Sequence, residues 1–313
     1  ALGLLCLPLL IAAPPAAVPK DLRVDGFVPY YWQDKEGKMW LEVGHWGRDF
    51  LYYTSLPAGI GSNDIGLDRG QLGDTYVAHW ERSGNKVLLV ASNNDYRAQS
   101  SDAAERAAVK DSFAESVLWG FDAAVQEDGR VLVDATAFFL RDAHGVAQSL
   151  QQGKQGSYHL EASRSAFYLP RTKNFPKNTE VEATITFTGG PAGRFLRSVT
   201  PNPDAVTVRM HHSFVELPEL GFHPRAFDPR AGFFDMQYAD YATPVGEPLV
   251  KRFAPRHRLE KKEPSAAMSD PVKPIVYYLD PGAPEPIRGA LLEGARWWNQ
   301  AFEAAGYRNA FRV

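Results

Sequence analysis

Apolar and polar residues alternate with period two through most of the first two hundred positions, broken at intervals by glycine turns. Phe27–Trp32 faces Met39–Val43 across Lys35-Glu36-Gly37-Lys38, Thr75–Trp80 faces Lys86–Val90 across Ser83-Gly84-Asn85, and Phe121–Val125 faces Arg130–Val133 across Glu127-Asp128-Gly129. Each pattern predicts a β-hairpin with glycine at the turn. Glu180–Phe187 and Ala205–Val215 predict two longer strands, and Asp102–Phe113, with alanines on a polar background, predicts a surface helix. These elements point to an antiparallel, sandwich-like, hairpin-rich β-domain over residues 22–217.

After Pro218 the periodicity fades. Residues 218–270 are rich in Pro, Arg and aromatic side chains and read as an ordered strap, because a free linker rarely carries so much aromatic surface. From Pro271 the pattern changes again. Ile275–Leu279 reads as a buried strand stopped by Asp280-Pro281-Gly282. Pro284, Glu285 and Pro286 then open a helix in which Ile287, Leu291, Ala295, Trp298 and Phe302 share one stripe, Gly306 closes it, and Phe311-Arg312-Val313 starts a further strand. The stripe is expected to face a core, and the fold class as a whole is α+β.

Within that last segment, Pro-Ile-Val-Tyr-Tyr-Leu-Asp-Pro-Gly-Ala-Pro-Glu-Pro-Ile (274–287) and Gly-Ala-Arg-Trp-Trp-Asn-Gln-Ala-Phe-Glu-Ala-Ala-Gly (294–306) resemble a family of bacterial secreted, zinc-dependent, metzincin-like metalloproteases. Asp64–Gly70, Ser116–Phe121, Arg171–Pro176, His211–Phe214 and Arg256–Lys261 are similar to the uncharacterised N-terminal domain that precedes the protease in the same proteins. The resemblance implies that residues 271–313 are the first strand and helix of an α/β zincin catalytic domain, cut short. It further implies peptide-bond hydrolysis of a peptide or protein substrate by the full-length protein, with zinc held on a His-Glu-x-x-His helix.

That motif is missing. The eight histidines are His45, His79, His144, His159, His211, His212, His223 and His257, and no two stand four apart with Glu after the first. Nor is there a Gly-x-Ser-x-Gly elbow. No catalytic, cofactor-binding or metal residue is therefore assigned, and the fragment is expected to be inactive and to hold no zinc of its own. The β-domain would act as prosegment, intramolecular chaperone or substrate-side accessory. The alternative is a non-enzymatic secreted β-domain that binds peptide or glycan through exposed aromatics.

His211-His212 is the most chemical-looking pair. Adjacent side chains on a strand point to opposite faces, so both rings can bind one ion only across a bulge. A structural role at the join of sheet and following domain fits the pair better. Capping the zinc of a catalytic domain is a third reading, and the role of the pair stays open.

Composition narrows the remaining possibilities. Among 313 residues, 34 basic and 37 acidic side chains leave a formal charge of −3 without a basic tract, which argues against nucleic acid as a partner. Residues 1–17 read as a partial signal peptide, an apolar block Leu4–Ile11 followed by small residues, and imply export to the periplasm or beyond. The block falls short of a bilayer span, and Leu5 argues against a lipoprotein anchor at Cys6, the single cysteine.

Overall fold

The computed structural model describes residues 22–127 and 129–313. Leu4–Ile11 and Cys6, on which the export expectation rests, lie outside the described residues. The chain forms two compact units, one ending at Pro218 and one running Glu219–Val313.

The first unit is mainly antiparallel β. Its strands are β1 (Arg23–Val24), β2 (Tyr30–Gln33), β3 (Lys38–Val43), β4 (Phe50–Ala58), β5 (Gln71–Ser83), β6 (Lys86–Ala91), β7 (Tyr96–Arg97), β8 (Ser116–Glu127), β9 (Arg130–Asp134), β10 (Gly156–Leu160), β11 (Ala166–Phe167), β12 (Lys173–Phe175), β13 (Asn178–Pro191) and β14 (Ala205–Glu216). The helices are α1 (Ala103–Ser112), α2 (Thr136–Phe139), α3 (Val146–Gln152) and α4 (Arg194–Val199). The three predicted hairpins are β2–β3, β5–β6 and β8–β9, and their turn glycines Gly37, Gly84 and Gly129 all have positive φ.

One sheet runs β1-β2-β3-β9-β8-β6-β5-β4-β14-β13-β10, and β12, β11 and β10 follow one another along the far side of β13. The sandwich-like pair of layers is replaced by this single sheet, which curls until its ends nearly meet. Phe27 N donates to Phe175 O at 2.8 Å, Val28 N donates to Thr179 Oγ1 at 2.8 Å, and the Asn174 amide donates to the Val24 and Val28 carbonyls at 3.0 Å. Gly26 is required there, because a Cβ would come within 1.9 Å of Asn174 Oδ1. The curl gives β2–β6, β8, β9, β13 and β14 a common aromatic interior, and no second sheet is needed to cover it.

That interior is aromatic. Tyr52, Trp80, Phe121 and Phe214 meet Phe138 and Phe139, which the short helix α2 inserts as a plug. Beyond the plug, β13 and β14 continue, and Ile185, Phe187, Val208 and Met210 pack under α3 and α4 through Val146, Leu150 and Leu196. Asp142 fixes the start of α3 by accepting from Val146 N (2.9 Å) and Ala147 N (3.0 Å). The predicted surface helix is α1, which buries no residue and is capped by Asp102.

In the second unit, β17 (Val250–Ala254) lies between β15 (Arg225–Ala226) and β16 (Met236–Asp240), antiparallel to both. Arginine over aromatic rings holds this strap: Arg252 lies 4.4 Å from the Phe227 ring and Arg256 4.7 Å from Phe222. Further along, β18 (Ile275–Val276) pairs in parallel with β19 (Phe311–Arg312). Two helices connect them, α5 (Ile287–Arg296) and α6 (Trp298–Ala304). The single helix expected over this stretch is interrupted at Trp297, where Trp297 N turns to Gly294 O (3.2 Å) and Gln300 N to Trp297 O (3.1 Å), a tighter pattern that follows the poor helix former Gly294. Contrary to the expected core-facing stripe, neither helix buries a residue. Among the described residues no helix is long and apolar enough to cross a membrane.

Candidate functional site

Strand register assembles a polar site on the outward face of the first unit. Tyr53, Ser213, Glu180 and Lys173 are cross-strand neighbours on β4, β14, β13 and β12. One step along, Leu72, Ser55, His211 and Glu182 line up across β5, β4, β14 and β13. Period-two alternation puts both rows on the same face, so residues far apart in sequence share one groove of about 620 Å³. Register shifts on β4 and β5 flank it, one next to Gly73. The strap Leu169–Arg171, a single 3₁₀ turn before β12, forms its other wall with Pro170, Arg171 and Phe175.

The floor is a chain of charge. His211 Nε2 is 2.6 Å from Glu180 Oε2 and its Nδ1 is 3.3 Å from Glu182 Oε2. Both partners are carboxylates, which only accept, so the ring is held as the doubly protonated imidazolium. Burial alone would lower the His211 pKa, but the bonds and charges of Glu180 and Glu182 outweigh it and raise it. Burial would raise Glu180, yet hydrogen bonds from His211, Ser213 and Asn178 hold it below the usual carboxylate range. Glu182 is buried, with Arg209 Nη1 3.5 Å from Oε1 and Arg171 Nε 3.8 Å from Oε2. Arg209 is itself pinned, its guanidinium 4.4 Å from the Tyr168 ring.

His212 points the other way, into the core. Its Nδ1 is 2.9 Å from Tyr52 Oη, and Arg141 Nη2 donates to the same oxygen at 3.1 Å. A guanidinium can only donate, so Arg141 takes up one lone pair of the phenol oxygen and His212 shares the other side of that hydroxyl as a buried, neutral ring. Burial, with Arg141 and His211 adding repulsion and the Phe139 backbone opposing, lowers the His212 pKa to about 3. Burial likewise pushes Tyr52 up to about 12, moderated by Arg141. Arg141 is held over the Phe138 ring at 4.8 Å.

Residues 70–262 match the family described as Domain of unknown function (DUF5117). The chain belongs to the DUF5117 family. No curated protein and no solved structure matches it. The DUF5117 match takes in β5–β17, and with them Glu180, Glu182, His211, Ser213, Arg171 and Lys173, whereas Tyr53 and Ser55 on β4 precede it.

The DUF5117 groove does not fit a metal. Glu180 and Glu182 address opposite nitrogens of His211, so the three cannot converge on one ion, and among the described residues no group of three His, Cys, Asp or Glu could hold one. Nor does His212 contribute, since its ring is enclosed by Tyr52, Phe138 and Phe139. Sequence reasoning singled out the two histidines but missed Glu180 and Glu182. The available signal was Glu-Val-Glu at alternate positions of a predicted strand, facing the same side as each other. The register that brings them to His211 was not visible.

Proposed function

We propose that this chain is the non-catalytic N-terminal portion of an exported, zinc-dependent metallopeptidase, with residues 271–313 contributing the first strand and helix of the catalytic domain and the barrel unit acting as prosegment, folding chaperone or substrate-side wall. One observation carries the reading. A parallel strand pair is the unit from which an α/β layer grows, and such layers bury their strands and helix stripes on neighbours. Here the stripe is uncovered: Leu291 is 49% exposed, Trp298 60% and Tyr278 92%. Together with Ile275, Phe302 and Phe311 these side chains line an apolar groove of about 530 Å³ on β18, α5, α6 and β19. A soluble chain rarely leaves this much contiguous aromatic surface without something to cover it, and of these residues Ile275, Tyr278, Trp298 and Phe302 lie in the segments that resemble the protease.

Among the described residues no group of three ligands forms a zinc site, so on this reading zinc would be held by the catalytic domain, and no hydrolytic step is assigned to residues of this chain. Zinc content and endopeptidase activity, measured on the product of the complete reading frame and on this chain alone, test the proposal. The complete product should carry about one zinc per molecule and cleave an unfolded protein substrate, and this chain should do neither. A complete product lacking both would overturn it. Export is checked separately, by recovery of the complete product in the periplasmic or culture fraction.

A further inference from the structure

The groove over His211 has charge to spare. Glu180 is saturated, accepting from His211, Ser213 and Asn178, and Glu182 is compensated by His211, Arg209 and Arg171. On the rim, Lys173 pairs with no carboxylate among the described residues, and Arg171, 68% exposed, reaches its single acidic partner only at 3.8 Å. Counting all charged groups that face the floor, Glu180 and Glu182 from β13, Arg171 and Lys173 from the strap and β12, and Arg209 and His211 from β14, the cations exceed the anions. The groove is therefore electropositive within a chain whose overall charge is −3.

Its dimensions and apolar ends narrow the ligand class. From Leu72 through Ser55, His211 and Glu182 to Arg171 is four strand-to-strand steps, about 19 Å, the length of about six extended residues. Leu72 is 67% exposed and Phe175 47% exposed, so an apolar contact is available at each end. Ser55, half-buried, offers a hydroxyl between them, while the Ser213 hydroxyl is committed to Glu180. A single small anion would use only the rim cations, and a neutral glycan would leave them unused.

We propose that this groove binds an extended acidic peptide segment, its carboxylates on Arg171 and Lys173 and its apolar side chains on Leu72 and Phe175. The inference does not rest on the protease reading and is tested on this chain itself. Calorimetric titration with a blocked heptapeptide alternating Glu and Leu, and with its Gln-for-Glu counterpart, gives the first comparison. The acidic peptide should bind about tenfold more tightly, an advantage that shrinks with added salt. Arg171→Ala with Lys173→Ala should abolish the preference and lower the melting temperature of this chain only slightly, since both side chains lie on the rim and Arg171 stands 3.8 Å from Glu182, which keeps its contacts with His211 and Arg209. Raising the pH from about 6 to about 9 should weaken acidic-peptide binding as His211 loses its proton, and His211→Gln should remove that pH dependence. Equal affinity for the two peptides, no binding of either, or binding of a neutral hexasaccharide that competes for the same residues would overturn the proposal.

Discussion

The two units put aromatic side chains to opposite uses. In the barrel, Phe138, Phe139, Tyr52 and Phe214 are fully enclosed and touch one another edge to face or tilted, with centroids 5.1 to 6.2 Å apart. In the second unit, Trp297, Trp298, Tyr277 and Tyr278 stand on a parallel strand pair and its helices and remain largely in solvent. A curled sheet closes on its own interior, whereas a strand-helix-strand unit needs further layers to do the same. The aromatic core of the first unit is thus covered by its own sheet, and the apolar face of the second stays exposed.

Core truncation should break the comparison most sharply. Phe214→Ala leaves a void among five surrounding rings and should destabilise the first unit by about 3–5 kcal/mol in urea unfolding followed by far-UV circular dichroism. A cost under about 1 kcal/mol would mean that the barrel interior is not packed as described. Next comes the buried carboxylate. Glu182→Gln leaves Arg209 and His211 without its charge and should cost about 3 kcal/mol in the same assay, whereas Glu260→Gln, an exposed partner of Arg258, should cost about 0.5 kcal/mol or less.

The neighbouring histidines supply a pH test with opposite signs. His212 has a folded pKa near 3, below its unfolded value, so the unfolded chain binds a proton that the folded chain refuses. Stability should therefore fall as pH drops from about 6.5 toward 3, and stay flat on this account above that window. His211 is raised, so its contribution is present below its ordinary pKa and is lost as pH climbs through the raised value. Glu180, lowered, contributes above its ordinary value and stops contributing as pH falls through the depressed one. Melting temperature against pH should show both limbs, and His211→Gln should flatten the alkaline one and, by removing a partner of Glu180, also shrink the share of Glu180 in the acid one. The smallest effect is expected in the second unit. Trp298→Ala should move the unfolding free energy by no more than about 0.5 kcal/mol while reducing the binding of an apolar dye, because its ring covers groove and not core. Unchanged dye binding would show that the face is not the dye's site.

Local features of this fold were legible in the sequence, and long-range ones were not. The three hairpins follow from alternation plus Gly37, Gly84 and Gly129, signals contained within about a dozen residues. The opposite orientation of His211 and His212 follows from the same period. Ring closure does not, because Phe27 meets Phe175 and Val28 meets Thr179 across nearly half the chain. The groove was invisible for a related reason: Leu72, Tyr53, Lys173, Glu180 and His211 come together only through four pairings and two register shifts, none of which local pattern specifies. The break at Trp297 was missed because apolar spacing ran through it unchanged.

The join of the sheet is made largely by side chains. Thr179 Oγ1 takes the Val28 amide and passes its proton to Asn174 Oδ1 at 2.6 Å, and the Asn174 amide reaches two carbonyls. Elsewhere around the cylinder each strand is stitched to the next by repeated main-chain bonds, so circumference is fixed everywhere except along this line. Opening the cylinder along this line would break the Phe27–Phe175 main-chain bond and these side-chain bonds while leaving every regular strand pairing intact.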